Sequence, residues 1–567
     1  MARSQRLWLA ANILCGFILG VASQDTWCGK VYNGSAMIIP GGFMTQPDAA
    51  TSPLLDVQIA TRHSIYVDSE TTADLIVDAG LSLYHGAVYS PPARSSAPDD
   101  APQADRLLFT ATVDGNVLVT GEVLVNSTDN LFRFDLAGLT SSTSASYSIV
   151  LTGTTSGGAN ITAQTELFYL PDKTTGSVVK VDRLYGSLLY RNEASGGVFK
   201  PVFPYGYYGS YSGYFNDTTN IAAFEAAGFN AVNPVADFAD SNMTDSIDAM
   251  DRVNLLFQYD MRNSFQNLTS VAEQIPLVKD HPSLLTYYTA DEPDGWGYTF
   301  ESSVDAYNLL ASLDKYHPTA LVLNCQNHYF EQYTAGADIL MEDAYPVGIN
   351  ATFADRWGTP CNLTYGDCGC DNCVGSLLDV PSRIDDFNKY AGWIGGAVAT
   401  RKPVWAVPQA FSGEGYWARD PTPEETWVMD LLAFNHGAMA RLAWIYPPSD
   451  VLSSATAKLA NVVTVEPVAG FLTAANPVLV LDGRSAKGSL DAAYWVTEDE
   501  SKGVLVGVVN PENSTSAAPA QVALPEGLNV SNIVSQPWGS VSWSLQGSTL
   551  VADGGLKALD TSYVILQ

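Results

Sequence analysis

From about Leu188 to Leu472 the sequence alternates eight times between a short apolar run and a segment of helical length. No other feature constrains the fold as strongly. The apolar runs are Phe199–Tyr207, Phe229–Val235, Val253–Asp260, Leu284–Glu292, Ala320–Cys325, Ala337–Asp343, Pro403–Ala410 and Arg441–Tyr446. Between the first two, Asp217 is expected to cap a helix that ends near Gly228. The clearest helix signal covers Pro423–His436: Thr422 as N-cap, Pro423 at the first helical position, Glu425 completing a capping box, and Gly437 as the stop. The fifth crossover, Phe330–Thr334, is short, and the sixth carries a cysteine-rich insertion. Eight strand–helix units over about 260 residues predict a closed (β/α)8 TIM barrel. An open doubly wound sheet would want a glycine-rich phosphate loop after its first strand. Tyr205-Gly-Tyr-Tyr-Gly-Ser210 is bulky and aromatic instead.

The flanks read differently. From Asp25 to about Ser187, short alternating runs such as Arg106–Thr112, Asn116–Val125 and Ser146–Thr152 are separated by Gly, Asn, Asp and Ser, an all-β pattern. Phe132–Leu139 followed by Tyr147–Leu151 resembles the late strands of an immunoglobulin-like sandwich. Ser90–Asp105, rich in Pro, Ser, Ala and Asp, is expected to be a surface loop. Beyond Leu472, the runs Pro477–Leu481, Ala492–Thr497, Gly503–Val509, Val541–Leu545 and Tyr563–Leu566 predict a small C-terminal β-sandwich. The expected organisation is a signal segment (1–23), an N-terminal sandwich (24–187), the barrel (188–473) and the C-terminal sandwich (474–567).

The compartment is legible at the N-terminus. Arg3 and Arg6 precede the apolar run Leu7–Ala22, and Val21-Ala22-Ser23 supplies the small residues of a cleavage site. That run is shorter than the roughly 20 residues a membrane span needs, so a cleaved signal is expected, with the mature chain outside the cell, in solution or at the wall. Of seven cysteines, Cys15 leaves with the signal. The other six, Cys28, Cys325, Cys361, Cys368, Cys370 and Cys373, are expected to form disulfides. The last four lie in one insertion, and Cys28 is expected to pair with Cys325, tying the N-terminal segment to the barrel. The insertion lacks the spacing of a paired Cys-x-x-Cys zinc site, so no metal is expected. Sequons at Asn33, Asn126, Asn160, Asn216, Asn242, Asn267, Asn350, Asn362, Asn513 and Asn529 suit a secreted glycoprotein. The 60 acidic against 28 basic residues, a net −32, argue against nucleic acid or an anionic membrane as partner. The partner expected is a carbohydrate, with no cofactor, no stable membrane insertion and a monomeric chain.

In a (β/α)8 barrel the active site lies where strands end and helices begin, because the interior is packed. The titratable strand ends are Gln258-Tyr-Asp260-Met-Arg262, Tyr287-Tyr-Thr-Ala-Asp-Glu-Pro-Asp294-Gly-Trp296 and Met341-Glu-Asp-Ala-Tyr-Pro346. Two carboxyls across one pocket are what glycosidic cleavage needs: one held protonated as the acid, the other meeting the oxocarbenium-like centre or activating water. Adjacent strand residues point to opposite faces. Only one of Asp291 and Glu292, and one of Glu342 and Asp343, is therefore expected to face the pocket. Glu292, long-armed and just before Pro293, is the expected acid/base.

Ala290-Asp-Glu-Pro293 after an apolar strand, with Asp343-Ala-Tyr-Pro346 two strands on, resembles patterns of (β/α)8-barrel glycoside hydrolases. Lys402-Pro-Val-Trp-Ala-Val-Pro-Gln-Ala-Phe411 and the closing Trp444-Ile-Tyr-Pro447 resemble them too. Gly197-Val-Phe-Lys-Pro-Val-Phe-Pro-Tyr-Gly206 is similar to the first strand of those barrels, which often follow a β-sandwich. The resemblance spans about Leu188–Leu472, is specific to the superfamily rather than to one family, and implies a hydrolase of O-glycosyl bonds. The chain departs from the large retaining clan, whose strand four ends Asn-Glu and whose strand seven carries a nucleophilic Glu. Here Asp291 and Gln409 stand at those places. The nucleophile is then expected to be Asp343, with Glu342 and Glu414 as alternatives and Asp291 as a further catalytic alternative. Tyr205, Tyr208, Trp296, Trp417, Trp444 and Tyr446 are candidates for stacking on sugar faces, though Trp417 and Trp444 also suit a core. Asp260, Arg262 and Gln409 are candidates for hydroxyl contacts, while His328 and His436 suit structural roles. A retaining mechanism predicts carboxyls about 5–5.5 Å apart. The alternatives are a non-catalytic glycan-binding protein on a barrel scaffold and a transglycosidase. A protease fits poorly, because the chain has neither a nucleophile elbow nor His-Glu-x-x-His.

Overall fold

The computed structural model describes residues 26–32, 41–91, 105–237, 240, 243–366, 368–486 and 488–567. The signal segment, the sequons at Asn33 and Asn242, and most of the Ser90–Asp105 loop lie outside the described residues.

Eight parallel strands close into a barrel. They are β1 (Tyr205–Ser210), β2 (Ala231–Val235), β3 (Leu256–Asp260), β4 (Leu284–Asp291), β5 (Thr319–Leu323), β6 (Ile339–Glu342), β7 (Val404–Ala406) and β8 (Arg441–Tyr446). Closure is made by β8 pairing with β1, Arg441 opposite Tyr205. The strands are apolar on both sides because both are covered. Leu285, Tyr288, Val322, Met341 and Trp405 fill the interior, while Tyr207, Phe257, Tyr287, Leu321 and Leu340 pack against the surrounding helices. The first expected strand, Phe199–Tyr207, divides in two. Lys200–Val202 joins Leu188–Arg191 and Val178–Val181 in an antiparallel sheet, and the barrel strand starts only at Tyr205. Pro204 sits at the break, where a residue without an N–H ends a ladder.

Local signals set the helix ends. Asp217 accepts the Thr219 N–H at the start of helix Thr218–Ala226. Thr422 and Glu425 form the full capping box of helix Pro423–Asn435, and Gly437 beyond it has φ +93°.

The N-terminal region packs two antiparallel four-stranded sheets face to face. One contains Leu54–Thr61, Thr72–Ser82, Ala87–Val88 and Ser127–Asp135; the other contains Arg106–Val113, Asn116–Leu124, Tyr147–Thr155 and Asn160–Leu167. Leu75, Val77, Leu107, Phe109, Ile149 and Leu151 form their shared core. The C-terminal region sets a five-stranded sheet, including Asp491–Val496 and Val504–Val509, against a three-stranded one. Three disulfides join Cys28 to Cys325, Cys361 to Cys368 and Cys370 to Cys373.

Candidate active site

The ends of β4, β5 and β6 bring three side chains together. Glu292 follows β4 in the left-handed region (φ 49°, ψ 48°), Asn324 follows β5, and Asp343 follows β6. The Asn324 amide nitrogen donates to Glu292 Oε1 at 3.0 Å and to Asp343 Oδ1 at 3.2 Å. The two carboxyls also hydrogen-bond each other. Burial and the neighbouring Asp343 charge push Glu292 well above the usual carboxylate range. Burial leaves Asp343 raised too, although the bonds from Glu292 and Asn324 oppose it. Two carboxyls in contact hold one proton between them. Their mutual hydrogen bond raises Glu292 and lowers Asp343, which favours the proton on Glu292. The pair stands within hydrogen-bond reach, two strand ends apart at one barrel mouth.

Asp291 belongs to the same site. It accepts from the Tyr288 hydroxyl at 2.6 Å and from Arg262 Nη1 at 3.0 Å. Arg262 also donates from Nε to Asp260 Oδ2 at 2.8 Å. Its guanidinium lies 5.2–5.3 Å from the ring centres of Tyr208, Tyr288 and Trp444. Asp260, Arg262, Tyr208 and Trp444 thus form one cluster beside the carboxyl pair. The expectation that only one of Asp291 and Glu292 could face the pocket is corrected. The β4–β5 register shifts between Tyr288 and Asp291, and the left-handed turn at Glu292 ends the strand's alternation.

Several expected site residues lie elsewhere. Tyr205 points outward from β1, where its hydroxyl donates to Asp430 on helix Pro423–Asn435 at 2.6 Å. Tyr446 packs on the same outer side, against Tyr207, Tyr214 and Phe224. Gln409 is fully buried. Its Oε1 accepts the Val347 N–H and its Nε2 donates to the Val347 and Phe411 carbonyls, so it ties two loops together and leaves nothing for a sugar. Glu342 is buried and accepts the Ala344 N–H, and burial pushes it up to about 8. Glu414 stands exposed, with its carbonyl bonded by Arg356. Trp417 is buried against Tyr345 and Phe411 and donates to the Tyr345 carbonyl. Trp296, at 44% exposure, is the aromatic residue at the mouth that solvent reaches most.

The sequence reading missed Asn324, Tyr288, Asp294 and Tyr345. Asp294 is buried, accepts the Gly295 and Cys325 N–H groups, and is pushed up by burial to about 8. Burial, with the nearby Asp343 charge, holds the Tyr345 phenol well above its ordinary value. Asn324 was findable: it ends a barrel strand as Glu292 and Asp343 do, but a search for titratable groups passes over an amide. Among the described residues, two groups of side chains are spaced to hold a metal ion, Asp248–Asp251–His281 and His436–Asp482–Asp491, and neither includes any of these residues.

No family model and no curated protein matches this sequence. Among solved structures, the chain is 13% identical to a putative beta-galactosidase from Bacteroides fragilis, covering 88% of this chain and 69% of that one, with a TM-score of 0.34. It is 9% identical to a glycosyl hydrolase family 2 member from Bacteroides cellulosilyticus (90% and 74% covered, TM-score 0.32). It is 10% identical to a beta-glucuronidase from Bacteroides uniformis (83% and 63% covered, TM-score 0.33). A likeness this loose reaches no residue of the site.

Proposed function

We propose that this chain is a secreted glycoside hydrolase that cleaves O-glycosyl bonds of an extracellular or cell-wall poly- or oligosaccharide. One arrangement carries the reading: Glu292, pushed well above the usual carboxylate range, stands within hydrogen-bond reach of Asp343 at the C-terminal mouth of a closed barrel. Glu292 gives its proton to the leaving oxygen while Asp343 attacks the anomeric carbon. Glu292, now a carboxylate, then takes a proton from the water that displaces Asp343. A retaining course, with the carboxyls about 5–5.5 Å apart around the sugar, is the reading we favour. The sugar has to part the carboxyls to reach its place between them. Arg262 and Asp260, fixed by the surrounding rings, are placed to hold hydroxyls, and Trp296 offers a face for stacking.

The test is a glycan panel with anomer-resolved product analysis on the purified protein, run beside Glu292→Gln and Asp343→Asn. Turnover with retained configuration, lost in both variants, is the expected result. A panel on which wild type and both variants behave alike leaves only the glycan-binding scaffold.

A further inference from the structure

The carboxyl pair has a contact from far away in the chain. The N-terminal segment 26–32 runs across the barrel mouth, and the Trp27 indole Nε1 donates to Asn324 Oδ1 at 2.8 Å. Asn324 therefore spends its oxygen on Trp27 and its NH2 group on Glu292 and Asp343. An indole N–H can only donate, so it demands the amide oxygen at its own end. Flipping the amide would aim its carbonyl at two carboxyls and its NH2 at another donor. Trp27 thus decides which way Asn324 points.

The segment is built to hold that ring in place. Cys28 and Cys325, each the next residue after one of the two partners, are disulfide-bonded. Lys30 is buried and pairs with Asp371 at 2.5 Å and with Asn372 Oδ1 at 2.6 Å. Asp371 in turn accepts the Gln326 N–H, and its carbonyl accepts from Arg383. The Trp27 ring meets Trp296 edge-on at 5.3 Å. A Cβ on Gly295 would lie 2.3 Å from the Trp27 ring, so the turn after Glu292 is shaped around the indole.

We propose that Trp27, delivered by the disulfide-anchored N-terminal segment, is a positioning residue of the active site that orients the Asn324 amide so that its NH2 group supports the Glu292–Asp343 pair. The proposal rests on reading those two as the reactive carboxyls, and its test is chosen to stand apart from that reading. Trp27→Phe keeps a ring and removes the donor. Freed of the indole, the amide turns, Asp343 loses a hydrogen bond that favours its anion, and its pKa rises by about one unit. Carbon-13 titration of the Asp343 carboxyl reads that shift without any substrate. On an accepted substrate, the acid limb of kcat/KM should move up with it and kcat should fall about tenfold. Trp296→Phe, which disturbs the same wall but makes no bond to Asn324, should leave the titration in place. An unmoved Asp343 titration in folded Trp27→Phe overturns the proposal, as does an equal shift in Trp296→Phe. Should Trp27→Phe fail to fold, the Cys28→Ser, Cys325→Ser double variant carries the test: an upward shift supports the proposal and none overturns it. A wild-type chain inert on every glycan would defeat the functional reading and leave the titration result standing.

Discussion

Glu292 sits in backbone territory that favours glycine, at a cost of roughly 1 kcal/mol or more. The turn swings its carboxyl against Asp343 rather than outward. Glu292→Gln keeps the shape and removes the proton, so hydrolysis of substrates with poor leaving groups should fall by about 10² to 10⁴. Activated aryl glycosides, which need little protonation, should lose far less in their first step. Asp343→Asn should abolish turnover of both, as steady-state assays on the two substrate types will show. The pH profile follows from the same pair. With Glu292 as the proposed acid and Asp343 as the proposed nucleophile, activity should fall as pH drops through the Asp343 pKa and fall again as pH rises through the raised pKa of Glu292. In Glu292→Gln the alkaline limb should disappear from kcat/KM for an activated substrate; its persistence would move the acid role elsewhere.

Between elements, one buried network joins the barrel to its helical shell. Arg441 on β8 donates from Nε to Asp430 at 3.2 Å and from Nη1 to the Gly206 carbonyl of β1 at 2.7 Å. Tyr205 closes the network on the other Asp430 oxygen. Every member is buried, so removing one partner strands a charge. Asp430→Ala should therefore cost about 3–5 kcal/mol in chemical denaturation. The capping box of the same helix is worth less. Thr422→Ala frees one N–H near the surface, and a loss of about 1 kcal/mol is expected. If the two variants cost the same, burial is not what sets the first value. The capping box was readable from four consecutive residues. The network was not, because Tyr205, Asp430 and Arg441 look alike whether they face a sugar or a helix.

At the scale of the whole molecule, His436 ties the barrel to the C-terminal sandwich. Its Nδ1 meets Asp385 at 2.9 Å on helix Asp379–Ile394, and its Nε2 meets Asp491 at 3.0 Å on a sandwich strand. Burial pulls its pKa down, but the two carboxylates outweigh that and push it from 6.5 up to about 9. A folded pKa above the unfolded one stabilises fully below about 6.5 and loses that contribution as pH rises to about 9. The wild-type Tm should therefore drop over that window by more than the Tm of His436→Gln. Parallel curves would show that the imidazolium does not clamp the junction. Glu342 and Asp294, both near 8, act in the same direction over a lower range. Each favours the protonated, folded state from its ordinary value upward, so stability should decline with rising pH from about 4.5.

The sequence by itself determined most barrel elements and their order, because periodicity, caps and turn residues are local quantities; the division of Phe199–Tyr207 between two sheets was not among them. The eightfold alternation already contained the barrel, and one disulfide pairing, Cys28 with Cys325, followed from setting aside the clustered four. It also singled out Glu292 and Asp343, since strand ends of a barrel converge at one mouth wherever the strands lie. Only the tertiary structure decided which way each side chain turns. Strand alternation predicted that Asp291 and Glu292 would diverge, yet a register shift and one left-handed residue put both in the site. Gln409 and Tyr205 left it for partners 62 and 225 residues away in the chain. Asn324 and Trp27, 297 residues apart, entered it through a bond between an amide and an indole. Neither residue titrates and neither makes a motif, so their role exists only once the chain has closed.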